Sequence, residues 1–321
     1  MTHRVHVVLS RGQTLHPDRQ TLEEQLVSHV EERGECQVLV VPHLYDLTAD
    51  GPGVAALREI GGDVIVLAWL YPRATYWILD RYGIRGQRGR TSLDDAPSPV
   101  EDGQTPAAGD GARAVMPRTV PQRRVFCLDL RRYETVQPYV DAIEQIVPAS
   151  GDRAATESTP ILAARRIDES VKRSWYPVID FSRCTNCLEC IDFCLFGVYG
   201  VDEAEHVFVE LPDHCRKGCP ACSRVCPEHA ILFPQHKLPA IAGDLLEPGG
   251  LKIDLSVLFG AADDLLDARD IAARERAEHL LIAGPGPAEI AETPRAPSVG
   301  QAAEKKDELD ALIDRLDAMD V

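Results

Sequence analysis

Residues 184–194 read CTNCLECIDFC, and residues 215–227 read CRKGCPACSRVCP. Eight of the ten cysteines in the chain lie in these two segments. Two, two and three residues separate the cysteines of the first segment, and three, two and three separate those of the second. The second segment therefore repeats the first with one inserted residue, since three of its cysteines follow their counterparts by 32 positions. Cysteines spaced this regularly predict a metal site with thiolate ligands.

Several kinds of thiol chemistry compete for this pattern. Structural zinc sites use C-x2-C pairs that usually stand about 15–20 residues apart, which fits poorly here. Disulfides need an oxidising compartment, and nothing in the sequence indicates one. Cys215, Cys219 and Cys222 match the spacing of radical S-adenosylmethionine enzymes, but the chain that follows is too short for a full barrel. Iron–sulfur clusters are the favoured interpretation, with zinc and disulfides as the alternatives.

The second cysteine run closes with Cys226-Pro227-Glu228-His229-Ala230-Ile231. Over about 60 residues, from Trp175 to Pro234, the sequence resembles the bacterial-type ferredoxins that hold two 4Fe–4S clusters. The resemblance implies one cluster on Cys184, Cys187, Cys190 and Cys226. It implies a second cluster on Cys215, Cys219, Cys222 and Cys194.

The chain departs from the ferredoxin pattern at two places. Leu195 stands where a proline usually follows the fourth cysteine, and Cys215 is followed by three residues before Cys219. We expect both departures to change the local geometry of the second cluster and not its presence.

A cluster with four cysteine ligands has no open iron site, so the expected chemistry is one-electron transfer. Four cations interleave with the ligands and either raise the cluster potentials or are solvated surface charges: Arg183, Arg216, Lys217 and Arg224.

Residues 1–148 alternate between apolar strand patterns and helical patterns. Strands are predicted at 4–10, 37–41, 63–70 and 124–130, and the last helix at 136–147. This alternation predicts a small doubly wound parallel-sheet domain, and the chain as a whole is expected to be α/β plus α+β. The Rossmann dinucleotide fingerprint is absent, because the first strand ends in Ser10-Arg11-Gly12-Gln13.

A ligand of such a domain would bind beyond the carboxyl ends of the strands. The candidate residues there are Ser10, Arg11, His43, Tyr45, Tyr71 and Arg73. In the alternative interpretation, Tyr76 and Trp77 pack in the core and Arg73 is a solvated helix residue. The isolated Cys36 and Cys127 are expected to be small buried hydrophobic residues.

The remaining segments are predicted from composition. Residues 86–120 form a flexible loop, and residues 149–171 form a linker with a short helical pattern near 161–167. Residues 172–260 hold the ferredoxin-type domain and an extension, and residues 261–283 a helix. Residues 284–303 form a disordered tether. Residues 304–321 form an amphipathic helix that docks, self-associates or folds back on its own domain.

Charge and hydropathy limit the class of function. The 34 Lys and Arg against 51 Asp and Glu give a net charge of −17, which argues against a nucleic-acid partner. No apolar run approaches the ~20 residues of a membrane span, and no signal peptide is evident, so a cytoplasmic protein is expected. The sequence favours an electron-transfer protein with a redox partner that carries a basic docking patch. The alternative is an oxidoreductase whose N-terminal domain binds a small substrate or flavin-like cofactor near Tyr71 and Arg73.

Overall fold

The computed structural model describes residues 5–14, 16–94, 120–149, 163–244 and 268–283. The first part of the chain forms a six-stranded parallel sheet with strand order β4-β5-β3-β1-β2-β6. Its strands are β1 (His6–Ser10), β2 (Gln37–Val41), β3 (Val64–Ala68), β4 (Gln87–Arg88), β5 (Arg124–Asp129) and β6 (Arg165–Arg166). Its helices are α1 (Pro17–Arg33), α2 (Pro52–Arg58), α3 (Pro72–Arg81) and α4 (Gln137–Ala149). The predicted parallel α/β architecture is confirmed, and these elements are called the α/β domain below.

Helices cover both faces of this sheet. The face that carries Val8 packs against α2 and α3, whereas the face that carries Val7 and Leu9 packs against α1 and α4. Three of the helices begin with a proline, whose fixed φ suits the first helical turn. Gly34 ends α1 in the left-handed conformation (φ 64°), which a residue without a Cβ adopts without strain.

Two of the six strands lie where the sequence predicted irregular structure. β4 occupies the start of the predicted loop 86–120 and pairs with β5. β6 occupies the predicted linker and pairs with β2, so the predicted helix near 161–167 is wrong at these residues. Both strands are only two residues long and carry arginine, so neither shows an apolar pattern. Just after β6, the Glu169 carboxylate accepts hydrogen bonds from the N–H of Thr48 (3.2 Å), in the loop before α2, and from the N–H of Gly53 (3.0 Å), in the first turn of α2.

The cysteine-rich region, residues 172–244, contains two small antiparallel sheets and short helices. The sheets pair β7 (Val178–Ile179) with β10 (Ile231–Leu232) and β8 (Tyr199–Val201) with β9 (Val207–Val209). The helices are α5 (Glu189–Phe193), α6 (Ala221–Val225) and α7 (Pro239–Ala242). A longer helix, α8 (Ala268–Ala283), packs against α6.

The two parts of the molecule share a buried core. Tyr176 stacks on Tyr45 with ring centroids 4.3 Å apart, and Val178 and Leu232 join the apolar cluster beneath α2 and α3. The Tyr45 hydroxyl donates to the Tyr176 carbonyl oxygen, and the Tyr176 hydroxyl donates to the Tyr45 carbonyl oxygen (3.0 Å). The cysteine-rich region therefore sits directly on the α/β domain.

Several predicted segments lie outside the described residues. These are most of the loop 86–120, the extension that ends at residue 260, the tether 284–303 and the amphipathic helix 304–321. Within the described ranges, none of the helices combines the length and hydropathy needed to cross a bilayer.

Candidate metal centre

The eight clustered cysteines line two cavities. Each cavity combines three cysteines of one run with the last cysteine of the other run. The first cavity is lined by Cys184, Cys187, Cys190 and Cys226. The second cavity is lined by Cys194, Cys215, Cys219 and Cys222. Space not filled by atoms, open solvent included, amounts to about 370 Å³ at the first cavity and about 330 Å³ at the second.

Two short helices determine how the cysteines are divided between the cavities. α5 contains Cys190 and ends directly before Cys194, and α6 contains Cys222 and ends directly before Cys226. Cys194 and Cys226 have extended backbone, so the chain leaves the helix at the fourth cysteine of each run. Because α5 and α6 pack against each other, each fourth cysteine reaches the cavity of the other run.

The loop before α5 is bent by residues with positive φ. Asn186 (φ 56°) and Leu188 (φ 63°) are both in the left-handed region, which is unfavourable for leucine. The Asn186 side chain fastens this loop, since its amide donates to the Glu205 carbonyl oxygen and accepts from the Val207 N–H, each at 2.9 Å. The loop is thereby held in a conformation that brings Cys184, Cys187 and Cys190 to one cavity.

Hydrogen bonds also reach cysteine sulfurs from residues outside the cysteine runs. The Ala230 N–H donates to Cys226 Sγ (3.3 Å), and the Tyr199 hydroxyl donates to Cys222 Sγ (3.1 Å). Burial raises the pKa of Tyr199 well above its ordinary value, and the nearby thiols raise it further, so the phenol keeps its proton. Both donors stabilise negative charge on the sulfur they contact.

Burial also governs the thiols themselves. It raises the pKa of Cys190 to about 12, and neighbouring thiols add to the effect. Burial likewise raises the pKa of Cys215 and Cys222. These thiols become stable thiolates only when a coordinated cation offsets the loss of hydration, and binding then releases their protons. Cys187 is exposed, so the first cavity has a sulfur close to solvent.

The donor set suits a polynuclear centre. Among the described residues, no three His, Cys, Asp or Glu side chains converge closely enough to hold one metal ion together. In each cavity, four thiols instead lie around the wall. This number matches a 4Fe–4S cluster, which takes one thiolate on each of its four irons. The residues present therefore fit such a cluster.

The cations that interleave with the cysteines have different surroundings. Arg224 pairs with Glu275 of α8 at 2.7 Å, so its charge is largely compensated. The Arg216 guanidinium lies 5.5 Å from the centre of the Phe196 ring. With its side chain only 10% exposed, Arg224 is not a solvated surface charge, as the alternative interpretation of these cations had it.

The candidate ligand residues of the α/β domain are engaged in contacts within the protein. The Ser10 hydroxyl accepts from the Leu44 N–H (2.8 Å), Tyr45 contacts Tyr176, and Tyr71 lies beneath the Arg131 guanidinium at 3.7 Å. Arg73 is only 3% exposed and pairs with Asp180 of the cysteine-rich region. The interpretation of Arg73 as a solvated residue is therefore wrong. At the carboxyl ends of the strands, Tyr45 and Arg73 thus contact the cysteine-rich region.

Sequence reasoning did not identify Tyr199 and Asp180 as part of the site. Tyr199 begins β8 as an aromatic residue in a short apolar run, which is typical of a core position. Asp180 precedes Cys184 by four residues, and its carbonyl oxygen accepts the Cys184 N–H (3.0 Å). The available signal was an aspartate that directly follows the apolar Val178-Ile179 and lies close to a cysteine run, and it does not reveal which cation pairs with the carboxylate.

The chain is similar to two curated proteins of Methanocaldococcus jannaschii. It is 49% identical to an uncharacterized ferredoxin over 67 residues, which is 21% of this chain and 45% of that protein. It is 36% identical to the pyruvate synthase subunit PorD over 59 residues, which is 18% of this chain and 66% of that protein. The chain thus spans about half to two thirds of the length of these relatives. No protein-family model matches the chain, and no solved structure matches it. The similarity supports a ferredoxin-like region within the chain and does not extend to the α/β domain.

Proposed function

We propose that this protein relays single electrons through two 4Fe–4S clusters to or from a partner oxidoreductase. The observation that carries the proposal is the division of eight thiols, seven of them buried or partly buried, into two cavities of four. Similarity to a ferredoxin supports the same chemistry, and similarity to a subunit of pyruvate synthase supports a place in an oxidoreductase complex.

The proposed ligands follow the lining of the cavities. One cluster takes Cys184, Cys187, Cys190 and Cys226, and the other takes Cys194, Cys215, Cys219 and Cys222. Bound there, a 4Fe–4S cluster with four cysteine ligands accepts and releases one electron at a time. The protein's part is to hold the thiols, to exclude water and to supply donors such as the Ala230 N–H and the Tyr199 hydroxyl.

The proposed partner carries a basic patch. The chain has a net charge of −17, and Glu189 and Glu228 lie in the lining of the first cavity beside the exposed Cys187. Opposite charge on the partner accelerates encounter, so association should slow as salt is added. Self-association through residues 304–321 and a cytoplasmic location stay predictions from the sequence.

Iron and sulfide analysis tests the proposal directly. Protein purified without air should contain about eight irons and about eight inorganic sulfides per chain. The reduced protein should show the electron paramagnetic resonance of two interacting clusters. Cys36→Ala is the matched control, because Cys36 lies outside both cavities, and it should leave the iron content unchanged. Bound zinc in place of iron, or metal-free protein, would contradict the proposal.

Removal of the Tyr199 hydroxyl should lower the potential of the second cluster. Tyr199→Phe keeps the ring in the core but deletes the donor to Cys222 Sγ. Because that hydrogen bond stabilises the more negative reduced state, its loss should disfavour reduction by roughly tenfold at a fixed solution potential. A redox titration followed by electron paramagnetic resonance measures the change. An unchanged pair of potentials would show that the hydroxyl does not act on the cluster.

A further inference from the structure

One side chain of the α/β domain reaches the backbone next to a proposed cluster ligand. Arg73 extends from the first turn of α3 into the cysteine-rich region. Its Nε donates to Asp180 Oδ2 at 2.5 Å, and its Nη2 donates to the carbonyl oxygen of His229 at 2.7 Å. His229 follows Cys226 by three residues and has a left-handed backbone (φ 48°). Arg73 therefore contacts a strained turn that directly follows a ligand.

The contact to His229 continues through one peptide group to a sulfur atom. The carbonyl of His229 and the N–H of Ala230 belong to the same planar amide. Arg73 donates to the oxygen of this amide, and the N–H of the same amide, that of Ala230, donates to Cys226 Sγ at 3.3 Å. Hydrogen bonds in such a chain polarise one another, so a cation on the oxygen strengthens the N–H as a donor.

We propose that Arg73 sets the reduction potential of the cluster on Cys184, Cys187, Cys190 and Cys226, acting through the peptide between His229 and Ala230. The inference rests on the proposed electron-transfer function and deepens it. It assigns the α/β domain a part in the redox chemistry, because a positioning residue of that domain tunes a centre held entirely by the other region. One added electron increases the negative charge at Cys226 Sγ, and the polarised N–H stabilises that charge.

Asp180 acts on the same centre with the opposite sign. Its carbonyl oxygen accepts the Cys184 N–H (3.0 Å), so Asp180 lies beside the backbone of that ligand. Its other carboxylate oxygen accepts from the Ser182 N–H (2.9 Å). A negative charge there opposes the arrival of an electron, whereas the positive charge of Arg73 favours it.

Removal of the two charges should therefore shift the potential in opposite directions, a result that a merely structural role would not produce. In the full-length protein with both clusters bound, Arg73→Met should shift one of the two potentials to a more negative value. The expected size is roughly a tenfold change in the reduced-to-oxidised ratio at a fixed solution potential. Asp180→Asn keeps the donors of Arg73 and removes the negative charge, so it should shift the same potential to a more positive value.

Two controls assign the effect. Arg81→Met removes another arginine of the interface, one that donates to the Val209 carbonyl oxygen (3.2 Å) and stacks on Tyr176, and it should leave both potentials unchanged. Tyr199→Phe should shift the other potential, since its hydroxyl contacts a ligand of the second cavity.

Arg73→Lys covers the case in which Arg73→Met fails to fold. It keeps a positive charge near Asp180 but lacks the planar fork that serves two acceptors, so a smaller negative shift is expected.

Each outcome decides the matter. Opposite shifts of one potential for Arg73→Met (or Arg73→Lys in its place) and Asp180→Asn support the inference. Unchanged potentials, equal shifts of both clusters, or shifts of the same sign overturn it, and the proposed function stands if iron and sulfide remain at about eight per chain. If the protein binds no clusters, both the proposed function and this inference are wrong.

Discussion

Cys226→Ser should halve the iron content of the protein, from about eight to about four atoms per chain. The cavity lining places Cys226 with Cys184, Cys187 and Cys190, so its loss removes one of the four proposed ligands of the first cluster. The second cavity keeps all four of its cysteines in this variant. Cys194→Ser should halve the iron content in the same way by acting on the second cavity.

Double variants distinguish crossed from uncrossed ligation. If Cys190 and Cys226 serve one cluster, Cys190→Ser combined with Cys226→Ser should still leave about four irons. Cys222→Ser combined with Cys226→Ser should leave almost none, because one ligand is then lost from each cavity. The reverse pattern would mean that each run binds its own cluster. The control is Cys127→Ala, at a buried cysteine in β5, which should retain the full iron content.

Tyr176→Ala should destabilise the whole molecule by about 3–5 kcal/mol. The Tyr176 ring is 6% exposed and stacks on Tyr45, and its hydroxyl lies 3.2 Å from that of Tyr82. Removal of the ring leaves a cavity between the α/β domain and the cysteine-rich region. It also leaves the Tyr45 carbonyl oxygen without the Tyr176 donor.

Urea unfolding of the anaerobic protein measures this effect. Circular dichroism reports the helices of the α/β domain, and visible absorption reports the clusters. Because the two regions share a core, both signals should move together to lower urea. Tyr176→Phe is the control, since it keeps the ring and loses only hydroxyl contacts, and it should cost about 1–2 kcal/mol. A loss below 1 kcal/mol for Tyr176→Ala, or a shift of one signal alone, would contradict a shared core.

The sequence predicted those parts of the structure that have a local signal. The strands of the α/β domain follow from continuous apolar runs such as 37–41, whose short length and three valines favour a buried strand. The cysteine spacing predicted which residues line the candidate site. β4 and β6 were not predicted, because a strand of two residues shows no periodicity. They form only where β5 and β2 offer free edges for pairing.

The contact between the two regions could not be predicted from local patterns. Tyr45 and Arg73 were expected at the carboxyl edge of the sheet, where the structure places them, but their partners Tyr176 and Asp180 are more than 100 positions away. No residue pattern encodes such a pairing. It depends on how the cysteine-rich region docks, which is a property of complementary surfaces and buried charge rather than of spacing.

The carboxylate of Glu169 has a consequence for small molecules at the carboxyl edge of the sheet. Backbone N–H groups at the start of a helix attract anions, and in sheets of this kind that edge is where ligands are usually taken up. Here the N–H groups of Thr48 and Gly53 are held by an acid from the same chain. A free phosphate or carboxylate would have to displace an intramolecular competitor, whose effective concentration is set by the fold rather than by the solution.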